Sequence, residues 1–173
     1  MPPLPTLTTS RLVLRPWERP DVDTLHAMWT HPDVRRYLWD DLIISRDQVR
    51  DVVESHLASS AAFGIGFWTV STREDSATAG FCGFRSQEGE AEIELLYGLL
   101  PEYWGRGFAT ESAQAALDYL WGNTVFPSVW AHTDAPNAKS IAVLRRLGMR
   151  LYSSTPSRIS FVIERGGRDT LAR

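Results

Sequence analysis

The sequence predicts a mixed α/β fold on one sheet, and three observations carry that prediction. First, the strand-patterned runs Gly66 to Ser71, Ala79 to Arg85 and Ala91 to Leu99 are separated by Arg73-Glu74-Asp75-Ser76 and Gln87-Glu88-Gly89. Polar linkers this short favour antiparallel hairpins. Second, the apolar period changes after Gly107, where Ala109, Ala113, Ala116, Leu117 and Leu120 recur at three and four and form one helical face. Third, strand-like and helix-like segments alternate from there to the end. At 173 residues, with 43% apolar and 23% charged residues, the chain reads as one ordinary globular domain over 1–173.

The elements follow in order. Thr9 to Arg15 alternates Leu12 and Leu14 against polar neighbours, a first strand ended by Pro16. Asp21 to Thr30 carries Val22, Leu25, Ala27, Met28 and Trp29 and reads as a short helix stopped before Pro32. Val34-Arg35-Arg36-Tyr37-Leu38-Trp39 reads as a loop or broken turn. Ser45 is an N-cap for a second helix through Val49, Val52, Val53 and Leu57, with Gln48 completing a capping box. The three middle strands come next, then the helix from Gly107, which should end near Gly122-Asn123. Val129 to His132 reads as a strand, Asn137 to Leu147 as a helix closed by Gly148, and Arg158 to Ile163 as the last strand. The order β-α-α-β-β-β-α-β-α-β-β gives seven strands and four helices.

Composition excludes several functions. The net charge of −3 lacks the basic footprint that a phosphate backbone demands, so nucleic acid is not the ligand. Cys82 is the only cysteine; within Gly80-Phe81-Cys82-Gly83-Phe84 it reads as a small buried hydrophobe rather than a catalytic thiol. His26, His31 and His56 show no metal spacing, so no metal is expected. Met1 to Pro5 has no secretory pattern, and no apolar run approaches the ~20 residues that a bilayer requires, which reads as cytoplasmic with no membrane partner. Seven tryptophans suit a roomy cleft or a subunit interface, and a homodimer is compatible with them.

The chemistry concentrates between Leu99 and Glu111. A strand there runs through a short loop into a helix opening with Gly105-Arg106-Gly107-Phe108-Ala109. The first amides of a helix have no intrahelical acceptor, and with the macrodipole they form an anion site. Glycines let a ligand approach the backbone, and Arg106 adds a fixed positive charge. A phosphate or pyrophosphate is therefore expected against Trp104, Gly105, Arg106, Gly107, Phe108, Ala109 and Thr110. A mononucleotide P-loop is absent, since no Gly-x4-Gly-Lys-Ser/Thr occurs. The dinucleotide fingerprint fits poorly, because Thr110 stands at its third glycine and Val125 to Trp130 offers no acid for a ribose.

Three blocks in order resemble the GNAT acetyltransferase superfamily, especially its Rim-type ribosomal-protein N-terminal acetyltransferase branch. They are Thr9 to Pro16 with Trp29-x-x-Pro32-x-Val34, then Glu94 to Gly107, then Asn137-Ala138-Lys139-Ser140-Ile141 to Leu147-Gly148-Met149. The resemblance implies a central, largely antiparallel twisted sheet of about seven strands flanked by four helices, splayed between strands four and five. It implies acetyl-coenzyme A as acyl donor, with pantetheine amides pairing along the freed edge at Tyr97, Gly98 and Leu99. Glu102 departs from the family's phosphate motif, which usually has Gln or Arg there.

The implied reaction is acetyl transfer to a primary amine, on a protein N-terminus or a small molecule, by direct attack in a ternary complex. A coenzyme-A-binding sensor without activity is the alternative. Glu94 is the candidate base, ahead of Glu92, although Glu90, Glu92 and Glu94 on one strand face also suit a solvated surface. Many family members carry a leaving-group tyrosine seven residues after the asparagine; counting from Asn137 reaches Leu144, and Ser140 is the best substitute acid. Asn137 holds the pantetheine arm or caps its helix. Trp29, Tyr37, Trp39 and His132 are the candidates for walling the acceptor pocket, with Asp40-Asp41 as the hint of an acidic wall suited to a polyamine.

Overall fold

Apolar side chains on both faces of the middle strands require cover on both sides, and the helices divide to provide it. The computed structural model describes residues 3–86 and 93–166. Along the chain run β1 (Leu7–Thr8), β2 (Leu12–Pro16), α1 (Val22–Thr30), α2 (Pro32–Leu38), α3 (Arg46–Phe63), β3 (Phe67–Thr72), β4 (Thr78–Ser86) and β5 (Ile93–Leu99). Then follow α4 (Phe108–Asn123), β6 (Ser128–Asp134), α5 (Ala138–Arg146), β7 (Arg150–Ser154) and β8 (Arg158–Glu164). The strands form one sheet in the order β1-β2-β3-β4-β5-β6-β8-β7. Every neighbouring pair is antiparallel except β5 and β6, which run parallel.

One face packs Leu12, Leu14, Trp68, Val70, Phe84, Leu95, Val129 and Phe161 against the inner stripe Ala113, Ala116, Leu117 and Leu120 of α4 and against Leu144 of α5. The opposite face packs Trp17, Phe67 and Phe81 against Leu25 and Met28 of α1, Val34 of α2 and Val49 and Val53 of α3. That second layer stops at β5. No helix among the described residues is long and apolar enough to cross a membrane.

The capping box at Ser45 holds: Ser45 Oγ accepts from Gln48 N–H at 3.2 Å, and Gln48 Oε1 accepts from Ser45 N–H at 2.8 Å. Two expectations are corrected. The stretch read as a loop at Val34 to Trp39 falls mostly within α2, so there are five helices. Pro32 stops α1 because it cannot continue a helix, yet its fixed φ suits the first position of the next one. His31, extended at φ −61° and ψ 129°, caps that helix, with Nδ1 accepting from Asp33 N–H. The sheet has eight strands rather than seven, because Leu7–Thr8 pairs with Val13 and Leu14 at the edge. A two-residue strand carries no alternation from which to read it.

The pairing between β5 and β6 positions the site. Seven register pairs join β4 to β5, whereas β5 meets β6 at one, Glu94 opposite Trp130. Beyond it the strands diverge toward Leu99 and Asp134. This is the expected opening between the fourth and fifth predicted strands.

Candidate active site

The loop after β5 is short because a 3₁₀ turn at Pro101–Tyr103 brings the chain directly to α4. Exposed Glu102 sits on this turn. Gly105 and Gly107 take φ +73° and +80°, backbone that L side chains resist, and Gly107 caps α4 without a side-chain acceptor. The first backbone bond into the helix is Glu111 N–H to Gly107 O, at 3.0 Å. Among the described residues, the amides of Gly105, Arg106, Gly107, Phe108, Ala109 and Thr110 find no acceptor in the protein. Gly105, Arg106 and Gly107 are exposed, Phe108 is buried, and Ala109 and Thr110 are half-buried. The Thr110 hydroxyl is a buried polar atom without a protein partner. An open run of donors at the positive end of a helix is a cradle for an anion.

Sequence reasoning missed the anchor of this loop. Glu111, in the first turn of α4, accepts from Thr9 Oγ1 at 2.6 Å, from Arg11 N–H at 3.0 Å and from Arg11 Nε at 2.7 Å. Arg11 Nη1 also donates to Arg106 O at 2.9 Å, and its guanidinium lies 4.8 Å from the Phe108 ring centroid. Burial pushes the Glu111 carboxyl upward, but the bonds from Thr9 and Arg11 and the Arg11 charge outweigh it and hold it below the ordinary range. The start of β2 is thereby tied to the glycine loop across 100 residues. The only signal was Arg11 in the opening block.

The divergence of β5 from β6 leaves a backbone edge open. Leu100 N–H donates to Ala79 O at 2.9 Å, so alternate residues from Leu100 backward turn their peptide groups toward β4. Leu95, Tyr97 and Leu99 turn theirs toward β6. The Leu99 carbonyl accepts from the Trp104 indole at 2.8 Å. What remains on the open edge is the amide and carbonyl of Tyr97 and the amide of Leu99. Gly98 corrects the expectation for this stretch, because its peptide faces β4. Its lack of a side chain serves packing: a Cβ there would lie 2.6 Å from the Phe81 ring.

Tyr97 and Ser140 meet across the same gap. The Tyr97 hydroxyl lies 2.9 Å from Ser140 Oγ and donates to Ser140 O at 3.2 Å. Burial raises the Tyr97 pKa, against the opposing bond to Ser140, so the phenol stays protonated. Asn137 caps α5, its Oδ1 accepting from Ser140 N–H at 3.2 Å. Lys139 Nζ sits 3.9 Å over the Trp104 ring, joining the two lips of the opening. Leu144, where a tyrosine was sought, is a core residue 1% exposed.

On the other sheet face lie Glu94, Trp130 and His132. Glu94 is 8% exposed and accepts from Arg85 Nε at 2.7 Å, its register partner on β4. Glu90 and Glu92 lie outside the described residues. His132 Nδ1 is 2.9 Å from Ser160 Oγ, and its ring stacks near Trp130. The residues proposed as an aromatic wall separate: Tyr37 is 40% exposed, Trp39 is half-buried against Trp29, and Trp29 is 2% exposed in the second core. The apolar face of α1 carries Trp29 inward against Trp17 and Phe81, so it lines no open cleft. Asp41 is ion-paired with Arg35 at 2.8 Å, which removes half of the acidic hint. Cys82 is fully buried, and burial pushes its thiol up to about 12, which disqualifies it as a nucleophile.

With this geometry in view, the comparisons with known proteins agree. A model of the acetyltransferase (GNAT) domain matches residues 11–150. An uncharacterized N-acetyltransferase, p20, of Bacillus licheniformis is 30% identical over 84% of this chain and 82% of its own length. The spermidine N(1)-acetyltransferase of Escherichia coli strain K12 is 25% identical over 78% of this chain and 70% of its own. Among solved structures, an acetyltransferase from Agrobacterium tumefaciens superposes with a TM-score of 0.82 at 26% identity, covering 95% of this chain and 96% of its own. RimL, a ribosomal L7/L12 α-N-protein acetyltransferase solved with coenzyme A, shares the fold at TM-score 0.79 and 17% identity, covering 92% and 98%. The chain belongs to the GNAT family of N-acetyltransferases.

Proposed function

We propose that the chain is one domain that transfers an acetyl group from acetyl-coenzyme A to a primary amine, by direct attack in a ternary complex. The observation that carries this reading is the open run of unpaired amides from Gly105 to Thr110 beside the freed edge of β5. The residues suit coenzyme A chemically: exposed donors at a helix N-terminus match a diphosphate, and a strand edge matches the amides of a pantetheine arm. When bound, acetyl-coenzyme A supplies the activated acyl group as a thioester.

The chain's own groups do the rest. Gly105 to Thr110 hold the diphosphate through backbone N–H, with Arg106 and Lys139 adding charge. Tyr97 and Leu99 orient the arm along the gap toward the apex at Glu94 and Trp130. Glu94 takes a proton from the acceptor ammonium, directly or through water. Ser140 Oγ, backed by the Tyr97 hydroxyl, donates a hydrogen bond to the departing sulfur, which takes up the proton that the attacking amine sheds. Asn137 holds the first turn of α5 so that Ser140 faces the gap.

The names of the relatives support an amine acceptor and a place near the Rim-type branch. The test is release of free thiol from acetyl-coenzyme A in the presence of amines and peptides. Amine-dependent thiol release with acetylated product supports the reading. Coenzyme A binding without release on any acceptor would make the domain a sensor instead.

A further inference from the structure

The acetyl-transfer reading leaves the acceptor open, and the face beyond the reach of α1 to α3 bears on it. We infer that the acceptor amine is carried on a flat apolar or aromatic body that rests against Trp130 and Tyr152, on the open face of β6, β8 and β7. The inference rests on the proposed function and names its substrate class.

Position is the first argument. Glu94 and Trp130 are the one register pair across the splay, and neighbouring strands lie about 4.8 Å apart. Glu94 faces the same side as Arg85 and Leu96, and Trp130 faces that side with Ser128 and His132, by strand alternation and pairing. A molecule lying on Trp130 therefore has its near end beside the Glu94 carboxylate. That face carries an open concavity of about 520 Å³, lined among others by Ser128, Trp130, Tyr152, Val162 and the pair Arg150 and Glu164.

Shape is the second. The ring of Tyr152 stands edge-on to Trp130, with centroids 4.6 Å apart and planes at 81°. The two rings make a corner, Trp130 half-buried and Tyr152 61% exposed, with Val162 as an apolar floor. Flat apolar groups bind such corners by stacking on one ring and meeting the edge of the other.

Charge is the third, and it separates substrate classes. A polyamine brings several positive charges and needs unpaired carboxylates. Glu164 is already bonded to Arg150 at 3.0 Å, which leaves Glu94 as the one carboxylate at the reacting end among the described residues. Arg165, also on the rim, gives its donors to the carbonyls of Trp121, Thr124 and Phe126, and among the described residues it has no carboxylate partner. The described lining holds cations in excess of acids. One amine beside Glu94 is accommodated there, and a row of them is repelled.

The experiment compares phenethylamine, spermidine and a short peptide with a free serine N-terminus as acceptors for acetyl-coenzyme A. Wild type, Trp130→Ala and Tyr152→Ala are assayed; the exposed Tyr152 keeps the test open if loss of Trp130 perturbs folding. The expected result is highest kcat/KM on phenethylamine, a KM for it raised about tenfold in either variant, and an unchanged KM for acetyl-coenzyme A. Preference for spermidine or the peptide overturns the inference, as does a wild-type KM for phenethylamine in both variants. Calorimetry separates the two failures. If coenzyme A binds while the saturated protein neither binds nor acetylates phenethylamine, only this inference falls; if coenzyme A does not bind, the acetyl-transfer reading falls with it.

Discussion

Glu94 and Arg85 face each other across a hairpin, and their ion pair shapes what the base can do. The pair fixes the orientation of the carboxylate at the apex of the splay, where the proposed reaction has it receive an ammonium proton. Replacing Glu94 by Gln keeps the shape and removes the acceptor of that proton. The expected loss in kcat is about a hundredfold or more, with coenzyme A affinity unchanged. Steady-state kinetics with a titration of coenzyme A checks both, and full turnover across pH would refute the assignment. Cys82→Ala should leave turnover intact, because the thiol is sealed in the core and held protonated. Glu94 was nameable in the sequence as a candidate, through the resemblance that places a carboxylate on its strand. Arg85 was not, because the two meet only after the hairpin closes, and the spacing of nine residues means nothing without the register.

At the scale of elements, α3 carries a half-buried histidine that makes stability sensitive to pH. Burial pushes the pKa of His56 down from 6.5 to about 4, with the Arg85 charge acting the same way. The unfolded chain therefore binds this proton near pH 6.5 while the folded chain waits until about 4. Stability from this residue is fully present above 6.5 and is lost as pH falls toward 4. At about 1.4 kcal/mol per pH unit, roughly 2 kcal/mol disappears between pH 7 and pH 5. Chemical denaturation of the wild type and His56→Gln at both pH values should show the larger fall in the wild type; equal falls would count against the burial argument. The glycine loop before α4 is the other element to test. Gly107 sits at φ +80°, so Gly107→Ala strains the turn that presents the amides. Coenzyme A should bind at least tenfold more weakly, read by calorimetry, and the melting temperature should fall by several degrees. A capping box made the start of α3 legible, and glycines both ends of α4, from local chemistry alone. The helix α2 was misread because a proline that ends one helix and begins the next looks the same as one in a loop.

For the whole molecule, the decisive links are long-range. The opening strand reaches the glycine loop through Arg11 and Glu111, so the anion cradle depends on residues 100 positions apart. Arg11→Ala should weaken coenzyme A binding and lower the melting temperature together, since it frees both Glu111 and the Arg106 carbonyl; loss of neither would show that the loop holds its shape unaided. The largely antiparallel sheet was foreseeable from linker length, and the splay from the resemblance that the three motif blocks carry. The acceptor side was not, since Trp130 and Tyr152 come from strands that meet only through β8. The proposed function depends first on free backbone N–H groups at the start of α4 binding the diphosphate of coenzyme A. Titration of the ¹⁵N-labelled protein with coenzyme A, followed by amide NMR, tests it most directly. Large saturable shifts at Gly105 to Thr110, absent when pantetheine replaces coenzyme A, are the predicted result; binding that leaves those six amides unmoved would contradict it.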